Sequence, residues 1–152
     1  MDIKHGTPTS EEDTRTGQVV SADEHPMVDL SDPNAEAWIA AGGDPRDQGR
    51  MVELFSRELT GATDLMVGLA WFDPGQVHLL HHHPYADEWY YVITGSADFT
   101  IGDEQLRGRP GTGLYIPAGT RHRIHNDQSQ ALQIAWGFNR PSLMDVGIVW
   151  EE

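Results

Sequence analysis

The sequence predicts an all-β domain, an antiparallel sandwich or jelly-roll barrel with one short helix ahead of it. Two observations carry that reading. From Arg50 onward, short runs of alternating, β-branched or aromatic residues recur, each closed by Gly, Pro, Asp or Asn. Within that pattern, His81 and His83 stand two apart, the spacing that places two side chains on one face of a strand. At 152 residues the chain suits one domain with a real core and is short for two.

Taken in order, residues 1–26 are polar, acidic and without periodicity, and read as a flexible acidic arm that orders, if at all, against a partner subunit. Residues 27–152 form the single domain. Asp32 is expected to cap a short helix with Pro33 in its first position and Gly42 and Gly43 ending it. Trp38 and Ile39 would dock that helix on the barrel. Residues 51–56 alternate and are expected to pair with residues 65–72 across a turn at 60–64. A turn at Asp73, Pro74 and Gly75 leads into the strand bearing His81 and His83, with His82 pointing the other way. Residues 84–87 are turn formers, and the chain returns through Glu88, Trp89, Tyr90, Tyr91, Val92 and Ile93, a strand by composition. Glu88 and Tyr90 share the face of the histidines. Residues 96–107 read as a hairpin about Gly102 and Asp103. After the turn at Pro117 and Gly119, His122 and Ile124 face inward and His125 outward. Residues 132–138 close the barrel, and residues 146–150 read as a last strand.

The two histidine-bearing segments spell G-x5-H-x-H-x4-E-x6-G over 75–95 and G-x5-P-x-G-x2-H-x3-N over 111–126. They resemble, without gap or substitution, the paired motifs of the cupin superfamily, which implies a double-stranded β-helix. The donors delivered are His81, His83, Glu88 and His122. Three imidazoles and a carboxylate without sulfur suit one divalent transition metal per chain: Fe, Mn, Co, Ni or Zn. Ligation requires neutral imidazoles and an ionised carboxylate, so affinity should fall in acid.

Tyr90, two residues after Glu88, is either a general base toward a metal-bound substrate or a structural phenol bonded to a ligand. Trp136 and Phe138 share one face of the closing strand and, with Tyr115 and Met66, are candidate pocket residues. His78, His82 and His125 read as surface or subunit-contact histidines, since His78 stands three before His81 and so off its face. Arg121 and Arg123 are expected to pair with surface acids.

Composition removes several classes. Twenty-four acids against ten bases give a net charge of −14, and nine of the bases are Arg. Nucleic acids and anionic membranes both need positive charge at the contact, so neither is expected as a partner. The charge reads as a solubility or high-salt adaptation rather than as steering of a cationic ligand. Cysteine is absent, leaving His and carboxylate as metal donors. No apolar run of eighteen residues and no secretory pattern are visible, so a cytoplasmic location is expected.

Gly42-Gly43-Asp44, the stretch from Phe55 through Thr63 to Gly68, and His82 to Glu88 resemble the small monocupins that accompany aromatic polyketide synthases and act as cyclases. That resemblance implies a Lewis-acid metal and a neighbouring base closing a ring on a small oxygen-bearing substrate. Three readings compete. Three His and one Glu also resemble the Fe(II) cupin dioxygenases. Glu88-Trp89-Tyr90 is similar to the E-x-Y element of cupin lyases that split dimethylsulfoniopropionate, with a Tyr base, although four residues rather than three separate His83 from Glu88. The last is a non-catalytic metal- or ligand-binding cupin. Resemblance also implies a homodimer.

Overall fold

Alternation in the sequence becomes alternation of burial in the computed structural model, which describes residues 15–152. After a 3-10 turn (Ala22–Glu24) come β1 (Val28–Asp29), α1 (Glu36–Ala40), β2 (Arg50–Phe55), α2 (Arg57–Thr60) and β3 (Met66–Phe72). Next come β4 (Val77–His82), β5 (Glu88–Thr94), β6 (Ala97–Ile101), β7 (Glu104–Gly108) and β8 (Gly113–Ile116). The chain ends through β9 (His122–His125), β10 (Leu132–Phe138), α3 (Leu143–Val146) and β11 (Val149–Trp150). One sheet runs β1-β2-β3-β10-β5-β8 and the other β11-β4-β9-β6-β7, every pairing antiparallel. This is the jelly-roll β-barrel that the sequence predicts.

Between the sheets lie Phe72, Val92, Phe99, Ile124, Leu132 and Ile134, all essentially without exposure. Each such side chain stabilises the fold by roughly 1.5–3 kcal/mol relative to an exposed one. Strand β10 is central: Trp136 lies opposite Gly68 of β3 and Tyr90 of β5, and Phe138 opposite Met66 and Glu88. Gly68 permits this. A Cβ there would lie 2.3 Å from Trp136 Cζ2 and 2.4 Å from the Val52 carbonyl, so the indole sits where any other residue would displace it.

The local forecasts need correction near α1. The helix begins at Glu36, with Ala35 as its uncapped N-cap, and not at Asp32. Asp32 instead closes a turn: its Oδ1 accepts from Asn34 N–H at 2.8 Å and its carbonyl from Ala35 N–H at 3.1 Å. Short polar side chains compete in this way with helix formation. Trp38 is buried and donates Nε1–H to the Leu30 carbonyl at 3.0 Å, whereas Ile39 stands on the exposed side of the five-residue helix. The turn between β2 and β3 opens with α2, capped by Ser56 Oγ and ended by Gly61 at φ 70°. Of the polar arm, residues 1–14 lie outside the described residues. Arg15 donates to Thr63 Oγ1 at 2.7 Å and Gln18 to the Thr60 carbonyl at 2.8 Å, so this part of the arm rests on that same turn. Among the described residues, no helix is long and apolar enough to cross a membrane.

Candidate metal centre

Strand β4 departs from regular pairing with β9. Val77 faces His125 and His78 faces Ile124, but His81 faces His122, so β4 carries one residue more than its partner over that interval. This bulge puts His78 and His81, three apart, on the same inner side. His81 and His83 come from β4 and its end, Glu88 opens β5, and His122 opens β9. All four are buried, and their donor atoms lie within 4.8 Å of one another.

Each imidazole is held from behind. His81 Nδ1 lies 2.6 Å from the Leu79 carbonyl, His83 Nδ1 2.7 Å from that of Gly147, and His122 Nδ1 2.9 Å from that of Thr120. A carbonyl only accepts, so Nδ1 carries the hydrogen and the neutral ring turns a bare Nε2 lone pair inward. Glu88 Oε2 lies 2.8 Å from His122 Nε2 and 3.2 Å from His83 Nε2. Among the described residues, His81 Nε2, His122 Nε2 and Glu88 Oε2 are buried without a hydrogen-bond partner, because the short approaches bring acceptor toward acceptor. A divalent cation between them removes that repulsion and satisfies all of them at once, so the residues fit a metal.

The electrostatics agree. Burial by itself would raise the Glu88 carboxyl, but His83 and His122 in their charged form outweigh it and bring it down to about 2. Burial first, then the charges of His122, His78 and His83, push the His81 imidazole well below its usual range. The His81 ring is therefore held neutral and the Glu88 carboxyl ionised. Burial, and after it the Glu88 and Asp47 carboxylates, push the Tyr90 phenol well above its ordinary value.

Three of the donors, His81, His83 and Glu88, open on a cavity of about 50 Å³, walled by His78, Tyr90, Trp136, Phe138, Trp38 and Leu143 among others. That exceeds the roughly 10–15 Å³ a cavity needs to hold one water. Tyr90 Oη is buried without a partner among the described residues. Its ring lies 5.9 Å from that of His122, and Phe138 meets His83 edge-on at 4.9 Å.

Two expected pocket residues lie elsewhere. Tyr115 is two-thirds exposed and donates its hydroxyl to Asp87 Oδ2 at 2.8 Å, because Leu114 and Ile116 take the inward positions of β8. Met66 is fully buried in the core but forms no part of the cavity wall. His78, expected at the surface, lines the cavity, with its Nδ1 2.6 Å from Oδ2 of the buried Asp47. Burial acts on His78 in the opposite sense, yet the Asp47 carboxylate prevails and raises it above the usual imidazole value. Strict two-residue parity hides this residue, and nothing local in the sequence announces the bulge. His82 Nδ1 stands 3.2 Å from Glu151 Oε1, and Arg121 and Arg123 pair with Asp103 and Glu152, as expected of outward residues.

Comparison with known proteins agrees with this geometry. A family model described as a cupin domain matches residues 68–138, the segment holding all four donors. The chain is 36% identical over 78 residues to Polyketide synthase CurC of Streptomyces cyaneus, covering 51% of each chain. It is 33% identical over 78 residues to an uncharacterized protein of Streptomyces coelicolor, covering 51% of this chain and 72% of that one. The chain spans about half the length of the first curated relatives it matches, 57%, 51% and 54%. Among solved structures, a predicted oxalate decarboxylase from Thermotoga maritima superposes with a TM-score of 0.64 at 20% identity, covering 81% of this chain and 99% of that one. That likeness is one of fold.

Proposed function

Because the chain belongs to the cupin family, we propose that it is a metal-dependent enzyme acting on a small oxygen-bearing organic substrate, closing a ring by chemistry at an enolisable carbonyl. The observation that carries the proposal is the convergence of partnerless buried donors on one point of an apolar cavity. Similarity to Polyketide synthase CurC supports the carbonyl-rich substrate class. A divalent metal held by His81, His83, Glu88 and His122 supplies Lewis acidity toward a carbonyl oxygen.

The chain's own side chains divide the remaining work. Tyr90, kept protonated, donates its hydroxyl hydrogen toward an oxygen in the cavity, which makes it a hydrogen-bond donor and weakens the reading of it as a base. His78, backed by Asp47, is the side chain placed to take up and return a proton. Trp136, Phe138 and Leu143 keep bulk water away, which strengthens every polar contact inside. With about 50 Å³ available, only the reacting end of a larger molecule sits beside the donors.

The test is anaerobic incubation of chelator-stripped and metal-reloaded protein with a poly-β-ketone, with products read by mass spectrometry. Oxygen-independent ring closure that vanishes with chelator and returns with metal supports the proposal. Oxygen uptake that requires Fe(II) would replace it with a dioxygenase, and bound metal without turnover on any oxygenated substrate would leave a binding protein.

We also propose that the chain pairs with a second copy through the outer face of the six-stranded sheet. All three outward positions of β5, Trp89, Tyr91 and Ile93, are uncharged and partly exposed, and Tyr115 of β8 extends the row beside Trp89. On a chain of net charge −14, two copies approach best across a row of uncharged side chains.

A further inference from the structure

Along β4, side chains serve as acceptors for three backbone N–H groups. Val77 N–H donates to Gln48 Oε1 at 2.9 Å, Leu79 N–H to Asp47 Oδ1 at 2.8 Å and Leu80 N–H to Glu152 Oε2 at 2.7 Å. Of these three acceptors only Asp47 is wholly buried. Its second oxygen lies 2.6 Å from His78 Nδ1, and its own N–H donates to the Asp44 carbonyl at 2.9 Å. Leu79, the residue that Asp47 grips by its N–H, presents its carbonyl, one peptide group further on, to His81 Nδ1 at 2.6 Å. The His78 ring, gripped by the other oxygen, lies against His81 with centroids 4.4 Å apart and stacks on Phe72. One buried carboxylate thus holds both neighbours that orient His81.

We propose that Asp47 is a positioning residue for the metal centre: it pins the bulged segment of β4 and thereby aims the His81 ring, without touching the metal itself. The inference rests on the reading of His81, His83, Glu88 and His122 as a metal centre. Partners that orient a ligating imidazole change metal affinity by about 10–100-fold when removed. A buried carboxylate with two partners is also costly to leave out of place, which keeps the staple rigid.

The experiment uses the full chain, stripped with chelator and titrated with Co(II). The Kd is read by competition with a chromophoric chelator and the ligand geometry from the visible absorption of bound Co(II). Asp47→Ala is expected to weaken Co(II) about 10–100-fold and to shift the absorption band. Asp47→Asn keeps an acceptor for Leu79 N–H but loses the charge that strengthens the bond, so it should fall between, several-fold weaker with a shifted band. Gln48→Ala, which removes only the exposed acceptor to Val77, should match wild type in both. A residue needed for folding alone would lower the Tm of the metal-free chain and leave the Co(II) band where it was.

Folded Asp47→Ala with wild-type Kd and band would overturn the proposal. If circular dichroism shows Asp47→Ala unfolded, Asp47→Asn decides, and wild-type values there overturn it equally. Wild-type protein that binds no Co(II) removes the metal reading, and this inference with it; variants that match a metal-binding wild type sink the inference alone.

Discussion

Replacing Glu88 by Gln should move two properties in opposite directions. In the metal-free protein, Glu88 Oε2 stands 2.8 Å from His122 Nε2, an atom left bare because the ring's hydrogen is on Nδ1. A Gln side chain offers an N–H at that point and turns an acceptor–acceptor approach into a hydrogen bond, a net gain of about 1 kcal/mol. Above pH 7.5 the metal-free variant should therefore be at least as stable as wild type. Acid reverses the sign. Despite burial, Glu88 is depressed from 4.5 to about 2 by the charged form of His83 and His122, so that stabilisation belongs to the state with charged rings and is lost as pH falls through about 2. In that state the wild type keeps a carboxylate against the two rings, and the variant lacks it. Metal binding should weaken at every pH, by about 100-fold or more, since a donor atom is lost and outer partners alone are worth up to that factor. At a metal concentration 100 times the wild-type Kd, wild type gains about 2.7 kcal/mol and the variant about 0.4 kcal/mol or less. For a domain of this size the wild-type gain corresponds to a Tm rise of about 5–11 °C. Scanning calorimetry with chelator and with Zn(II), at pH 8 and pH 5, reads every part. An equal metal-induced rise in both proteins, or a metal-free variant destabilised at pH 8, would refute the assignment of Glu88.

Four further outcomes are expected from the same geometry. The His81 imidazole is held well below 6.5 by burial, so the unfolded chain binds the extra proton and metal-free stability should climb with pH through the region below 6.5; urea titrations from pH 5 to 8 check the slope, which His81→Asn should flatten. Tyr90→Phe should leave metal affinity and fold intact while turnover falls about 10–100-fold, as expected for one hydrogen bond to a reacting oxygen, and retained turnover would relegate the phenol to packing. Gly68→Ala places a Cβ 2.3 Å from Trp136 and 2.4 Å from the Val52 carbonyl; a loss of about 1–3 kcal/mol in urea denaturation and a shift of tryptophan fluorescence should accompany it. Tyr91→Lys puts a charge in the middle of the outer row of β5 and should convert a dimer to a monomer in light-scattering chromatography, and an unchanged mass would discard that face.

How much of the centre could be read without coordinates depends on how far apart its causes lie. His81, His83 and Glu88 belong to one continuous segment, where strand parity and a four-residue turn act locally, so their convergence is legible from spacing. The inward direction of His122 comes from the same parity beyond the Pro117 turn. Strand content, the turns and the closing role of residues 132–138 are likewise written in alternation and in the placement of Gly, Pro and Asp. Parity also misleads where it is interrupted. It puts His78 outside, whereas the slip of β4 against β9 brings it in, and a register slip belongs to two strands at once.

The donor set, the jelly-roll class and the exclusion of thiolate ligands are properties of the amino-acid sequence, because each depends on residue types at short fixed separations. Tertiary structure alone decided that Trp136 and Phe138 wall the cavity while Met66 does not, and that Tyr115 faces away. It also decided which carbonyls pin the three imidazoles, and that a carboxylate 34 positions before His81 stands behind it. Such facts depend on which strand lies beside which, and on where a ladder loses its partners. Long-range packing sets both, and no local pattern in the chain encodes either.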